Sequence, residues 1–139
     1  MTARGWLADT SALARLDRPE VVEVLIPRVA SGRVYISIVT ELEIGYSARS
    51  TSHYRTVRHS IVDHLLPCPI PSGAEGRART VQQDLVARGR HRSAGVADLL
   101  LAAIAEVEGL TVLHYDADFD IIAETTDQPM EWVVPRGSI

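Results

Sequence analysis

Apolar residues arrive along this chain in short bursts, separated by longer stretches with helical spacing. Residues 5–9, GWLAD, are an apolar run closed by an acid and predict a short buried strand; TSALARL behind it has helical character. Residues 19–31, PEVVEVLIPRVAS, open on Pro and Glu as helix starts do and stop at Gly32, with Pro27 placed to kink the helix. RVYIS at 33–37 is β-branched and aromatic, hence a second strand. IVTELEIGYSARS then reads as a helix, with Thr40 and two Glu near its start. Residues 53–66 put Val57, Ile61, His64 and Leu65 on one face and predict a helix over the whole stretch. PCPIP at 67–71, with Pro at alternate positions, allows no more than an edge strand or an extended connector.

A long helix is expected over 73–89, ended by Gly89, and AGVADLLLAAIAEVE at 94–108 has the strongest helical character, with Gly109 as its stop. LTVLHY predicts a strand, DFDIIAETT a helix and MEWVV a last strand. Strands alternating with helices imply an α/β fold, a mostly parallel central sheet with helices on both faces. Functional groups in such sheets gather beyond the carboxyl ends of the strands. That rule brings Asp9, just after GWLA, and Asp116, just after TVLHY, to one edge, although most of the chain separates them.

At 139 residues and 46% hydrophobic, the chain has the size of one domain, spanning 1–139. The first sixteen residues hold no leader-like apolar stretch, and no segment reaches the roughly 20 apolar residues that span a bilayer, so a cytoplasmic protein is expected. Cys68 stands alone, which excludes an intrachain disulfide or a thiolate zinc cluster; its setting in LPCPIP suggests packing. The net charge of −4 hides a division: residues 1–92 carry 13 Arg against 9 carboxylates, or +4, and residues 93–139 one Arg against 9, or −8. Lys is absent, and Arg suits bidentate phosphate contact.

The acids carry the candidate chemistry. Asp9 opens DTSAL, where it can cap a helix, and Asp98 is the one charge in VADLLLAAIA, above the small Ala102 and Ala105. Glu41 and Glu43 lie two apart and point away from one another on a helix, so only one can face a common site. Asp116, Asp118 and Asp120 alternate in LHYDADFD, a crowding that is unfavourable unless something takes up the charge. They are no EF-hand, since Ile121 and Asp127 stand where that loop needs Gly and Glu. Nor do they come after the first strand, as the D-x-D of haloacid-dehalogenase-like phosphotransferases does. Hard oxygen ligands without Cys or a paired-His motif point to Mg²⁺ or Mn²⁺, ions that serve phosphoryl chemistry.

LADTSAL, SIVTELEIG, ADLLLAAIAEVEGLTVLHYDADFDIIA and a short terminal strand, in this order and spacing, resemble the PIN-domain ribonucleases and, within them, the VapC toxins of toxin–antitoxin pairs. The resemblance covers nearly the whole chain. It implies an α/β/α sandwich with an acidic pocket that binds Mg²⁺ or Mn²⁺ and cleaves cellular RNA such as tRNA or rRNA, leaving a 5′-phosphate and a 3′-hydroxyl. Carried over by position, its acids are Asp9, Glu43, Asp98, Asp116 and Asp118, with Asp9, Asp98 and Asp116 as metal ligands and Ser11 as a supporting hydroxyl. Glu43 is selected through Ser37 and Thr40; a Gly four residues after the Glu, Gly45, would select Glu41 instead. Asp120 lies beyond the motif, as a cap or a solvated charge. The resemblance further implies a homodimer and a cognate VapB antitoxin, with DNA reading left to the antitoxin and no sequence-specific DNA binding by this chain.

An acidic pocket repels RNA, so affinity must come from elsewhere. RGRHRS at 88–93 supplies Arg88, Arg90 and Arg92 beside the Asp98 helix, with Arg77 and Arg79 on the helix before it, as a phosphate-gripping rim. Two other readings stay open on the residues: a phosphatase or nucleotidase with the same kind of metal site, and a catalytically silent PIN-like module that binds RNA or protein.

Overall fold

Five short strands are hydrogen-bonded side by side in a computed structural model that describes residues 4–139. They are β1 (Trp6–Ala8), β2 (Val34–Ile36), β3 (Leu66–Pro67), β4 (Thr111–His114) and β5 (Met130–Trp132). Their order is β3-β2-β1-β4-β5 and every pairing is parallel, where the sequence suggested a mostly parallel sheet. The chain builds outward from β1 to β3, then returns to lay β4 on the other side of β1. The ends of β1 and β4 therefore flank the switch point, the place where such sheets open a crevice.

Alternation along the strands divides the interior in two. Leu7 of β1 and Val112 of β4 face a core shared with α5 (Ala74–Ala87), α6 (Val96–Glu108) and α7 (Asp118–Thr126), in which Leu85, Leu101, Ile104, Phe119 and Ile122 are buried. Ala8 and Leu113 face the opposite core, closed by Leu13 of α1 (Thr10–Leu13) and by Val21 and Leu25 of α2 (Pro19–Ala30). The result is the expected three-layer α/β/α sandwich. Pro27 lies inside α2, and the helix runs on to Ala30. Gly89 and Gly109 end α5 and α6 with φ of 68° and 71°, left-handed values that favour glycine.

Two expected helices are shorter than the periodicity suggested. α3 (Ile38–Tyr46) stops at Ser47, and α4 (Thr51–Ser60) begins anew with Ser50 as its cap. α4 does not reach Leu66: Ile61 leaves helical geometry, a 3-10 turn covers Val62–His64, and Leu65 is extended. Pro67 biases Leu66 toward extended backbone and has no N–H for a helix, which accounts for the extended end of the segment and not for the earlier break at Ile61. Leu66–Pro67 instead pairs with the edge of β2, so the strand starts ahead of the expected 67–71 segment. The 53–66 face is thus broken; Val62 and Leu65 are buried, while α4 itself buries no residue. Cys68 is packed in the core, and burial pushes its thiol pKa up, as suits a packing residue.

Among the described residues no helix is long and apolar enough to cross a membrane. The reading of the chain's first residues for a leader falls partly on positions 1–3, outside the described residues.

One tie sets where α3 sits against β1. Ser37 caps the helix by accepting the Thr40 N–H, and the buried Thr40 hydroxyl donates to the Ala8 carbonyl at 3.3 Å. Thr40→Val keeps the shape but removes that donor, and urea unfolding should show a loss of about 1 kcal/mol.

Candidate active site

Asp9 leaves β1 and caps α1. Its Oδ2 accepts both the backbone N–H of Ser11 at 2.9 Å and the Ser11 hydroxyl at 2.6 Å. The same hydroxyl oxygen accepts the Tyr115 N–H at 2.9 Å, so Ser11 joins the loop after β1 to the loop after β4. Asp9 is almost wholly buried.

Glu43 reaches the same loop from α3, where its Oε1 accepts the Thr10 hydroxyl at 2.8 Å. Glu41 turns the other way and pairs with Arg58 of α4 at 3.2 Å. The opposition expected for two Glu on one helix is present, and Glu43 is the one directed at Asp9's neighbourhood.

Asp98 stands in the first turn of α6 and Asp118 in the first turn of α7, where the helix dipoles favour carboxylates. Oxygens of Asp98, Asp116 and Asp118 lie within 4.8 Å of one another. The sequence grouped Asp9 with Asp98 and Asp116 as metal ligands; this close trio holds Asp118 in place of Asp9, whose carboxylate is turned onto Ser11. Ala102 and Ala105 open no space above Asp98, because both are packed in the core, where the Ala102 carbonyl accepts from Gln128.

Burial, then the charges of Asp9, Asp116, Asp118 and Glu43, push the Asp98 carboxyl up from 3.8 to about 7. The other four acids thus all act on Asp98 at one edge of the sheet. Asp118 is also raised, by burial and by Asp116, against the opposing pull of the Gly95 N–H. Six Arg–carboxylate pairs exist among the described residues, and none involves Asp9, Glu43, Asp98, Asp116 or Asp118. Six of the other acids have an Arg counter-ion; the central five do not.

Three placements differ from the sequence reading or escaped it. Asp120 caps nothing; it is a half-exposed charge in the first turn of α7 and, beyond the sequence reading, accepts the Trp132 indole N–H at 3.1 Å, with Arg136 at 4.0 Å. Arg77 is drawn away from the rim by its two hydrogen bonds to Glu106. His114 was missed, although a titratable residue inside the apolar run TVLHY was a usable signal. It is fully buried, its Nδ1 accepts the Asp116 N–H at 3.1 Å, and burial lowers its pKa. Arg79, Arg88, Arg90 and Arg92 are exposed, and none pairs with a carboxylate. The loop carrying the last three ends at Gly95, beside Asp118.

Known proteins match this arrangement over nearly its whole length. A family model of the PIN domain covers residues 7–125. Ribonuclease VapC51 of Mycobacterium tuberculosis is 43% identical over 136 residues, which are 96% of each chain. Ribonuclease VapC21 of the same species is 41% identical over 138 residues, 99% of each. The chain belongs to the PIN-domain family, in its VapC branch. In fold, this PIN domain is similar to a chain in the crystal structure of DNA-bound VapBC from Salmonella typhimurium, with a TM-score of 0.77 at 19% identity, over 94% of this chain and 98% of that one. VapBC2 from Rickettsia felis, bound to a promoter DNA fragment, gives 0.78 at 15% identity, over 91% and 98%.

The site of this PIN domain fits a divalent cation by its donor chemistry. It offers hard carboxylate oxygens at close range, with no thiolate and no protein cation to balance them.

The native Asp98 keeps a proton that the unfolded chain gives up between about pH 4 and pH 7, so its contribution to stability falls as pH rises through that window and is level above it. Metal-free protein should melt at progressively lower temperature across the window, and Asp98→Asn should flatten that slope and raise the midpoint at pH 8 by a few degrees. If Asp98 takes part in holding a cation, Mn²⁺ should raise the wild-type midpoint more at pH 8 than at pH 6, because a carboxyl must lose its proton to bind metal. Thermal melts over pH, with and without Mn²⁺, check all three.

Proposed function

We propose that this chain is a Mg²⁺- or Mn²⁺-dependent endoribonuclease toxin that cuts cellular RNA such as tRNA or rRNA and is held in check by a cognate VapB antitoxin. The observation that carries the reading is a set of five carboxylates, four of them acting on Asp98, without an Arg counter-ion among the described residues, in a chain of the VapC branch. Asp98 and Asp116, with Asp118 and the nearby Asp9, hold the metal. A divalent cation held there lowers the pKa of water and offsets charge on the phosphate oxygens.

The chain's own residues do the rest. Thr10 fixes one oxygen of Glu43 and leaves the other without a hydrogen-bond partner among the described residues, free to take a proton from the attacking water. Ser11 keeps the Asp9 carboxylate aimed. Water oxygen bonds to phosphorus, the bond to the 3′ oxygen breaks, and that oxygen leaves with a proton, giving a 5′-phosphate and a 3′-hydroxyl. Arg88, Arg90 and Arg92 grip flanking phosphates. This unpaired, exposed loop favours a long polyanion over the small phosphate ester of a phosphatase.

The antitoxin has a suitable seat on this chain. A cleft of about 320 Å³ between α2 and the 61–65 turn is lined by Leu25, Ile26, Val29 and Ile61. It shares Leu13, Leu16 and Ile61 with a second cleft of about 310 Å³ that reaches Thr10. The stripe of Ile38, Leu42 and Tyr46 on α3, one turn apart and all exposed, suits the homodimer that the resemblance implied. Sequence-specific DNA reading falls to the antitoxin, and the complex works in the cytoplasm.

Purified protein with Mg²⁺ should cleave structured RNA and leave p-nitrophenyl phosphate intact. Asp9→Asn and Asp98→Asn, which keep volume, should each lower the rate at least about 100-fold. Undiminished cleavage by both variants, in gels with and without EDTA, overturns the assignment. Replacing Arg88, Arg90 and Arg92 together by Ala should raise KM several-fold at low salt and reduce the slope of log affinity against log salt by about 2 to 3. An unchanged slope in filter binding rejects the grip.

A further inference from the structure

We propose that His114 is a positioning residue that sets the direction of the Asp116 carboxylate through its Nδ1 lone pair; this rests on the reading of the acidic cluster as a metal-dependent nuclease site. The ring is fully buried at the end of β4, with its centroid 4.9 Å from that of Phe119 and 5.0 Å from that of Trp132. Its Nδ1 accepts the Asp116 N–H at 3.1 Å, which requires the proton to be on Nε2. Nε2 is buried and has no hydrogen-bond partner.

That combination is costly for a residue that only fills space. Leu or Phe would pack between Phe119 and Trp132 without stranding a polar atom. What imidazole adds is the acceptor at Nδ1, and it is used on one backbone N–H. Asp116 is only partly buried, and the bond ties its backbone N–H to a ring held in the core, which fixes its orientation.

A second bond has the same pattern. Asp116 Oδ1 accepts the Asp118 N–H at 3.0 Å, again from a side chain to the backbone two residues on. Residues 114, 116 and 118 thus form two linked turns, the first made by an imidazole and the second by a metal-site carboxylate. Rotation of the first turn displaces Asp116 and takes Asp118 with it. His114 touches neither metal nor RNA; it acts through the backbone, as the outer groups behind metal ligands do.

The test uses three variants of the full chain. His114→Asn places its Oδ1 near the Nδ1 position and keeps the acceptor, His114→Gln moves the acceptor toward the Nε2 position, and His114→Leu removes it. In metal-free wild type and variants, hydrogen exchange of the Asp116 amide is read by NMR, with thermal melts as the folding control. Mn²⁺ binding is read by calorimetry, and kcat and KM are measured on RNA. Leu and Gln variants should exchange the Asp116 amide about tenfold faster. They should bind Mn²⁺ roughly 10–100-fold more weakly and lose kcat in proportion, with KM for RNA little changed. The Asn variant should recover wild-type values within about threefold. Wild-type exchange and Mn²⁺ affinity in a folded Leu or Gln variant overturn the proposal, as does an Asn variant as impaired as Gln. If Leu does not fold, the Asn and Gln pair decides. If wild type itself fails to bind Mn²⁺, the nuclease reading falls, while the metal-free exchange still decides whether His114 positions Asp116.

Discussion

Five carboxylates share one corner of this molecule because the strand order leaves them no alternative. β1 and β4 are adjacent and parallel, so the residues just after each strand emerge at the same edge, and α3, α6 and α7 start or pass beside it. Charges brought this close and partly out of water repel one another, and Asp98 shows the result in a carboxyl raised to about 7. Folding has to hold these groups against that repulsion. It does so with neutral donors: the Ser11 and Thr10 hydroxyls and the backbone N–H groups of Ser11, Asp118 and Gly95. Arginines neutralise Glu41, Glu106, Glu108 and Glu131 but leave this corner alone. The repulsion is thereby left without an Arg counter-ion among the described residues.

The short motifs of the sequence separate into scaffolding and chemistry once their contacts are known. In SIVTELE, Ser37 caps α3, Thr40 ties it to the Ala8 carbonyl, and Glu43 alone faces the acidic corner. In DTS, Asp9 carries charge, Thr10 fixes Glu43, and Ser11 joins the two strand ends. In HYDADFD, Phe119 is core, Asp120 is bound to Trp132, and Asp116 and Asp118 face Asp98. A hydroxyl within such a motif aims a carboxylate, and aiming has consequences because Coulomb energy changes steeply at these distances.

Alternating apolar and helical stretches were enough to read an α/β sandwich, the strand centres and the glycine stops, since these depend on local backbone preferences and burial. The Asp98 helix was legible because one charge among apolar residues has few bland explanations. Where reading failed, a tertiary contact or a proline had overruled periodicity. The face predicted over 53–66 ended at Ser60, and Leu66–Pro67 at its far end paired with β2 instead. Arg77, counted as rim, was taken by Glu106 from the neighbouring helix.

Composition and order marked Asp9, Asp98, Asp116 and Asp118, with Glu41 and Glu43, as acids to examine, because residue type sets charge and ligand hardness, and the resemblance singled out Glu43. Periodicity also narrowed the choice to one of Glu41 and Glu43, since two positions two apart on a helix cannot share a face. Only the tertiary structure decided which one, through Thr10 on one side and Arg58 on the other. It also decided that Asp118 joins the closest trio, and that a buried histidine stands behind Asp116. These are choices among directions. A side chain's direction depends on neighbours that the fold brings from distant parts of the chain, which spacing along the sequence does not encode.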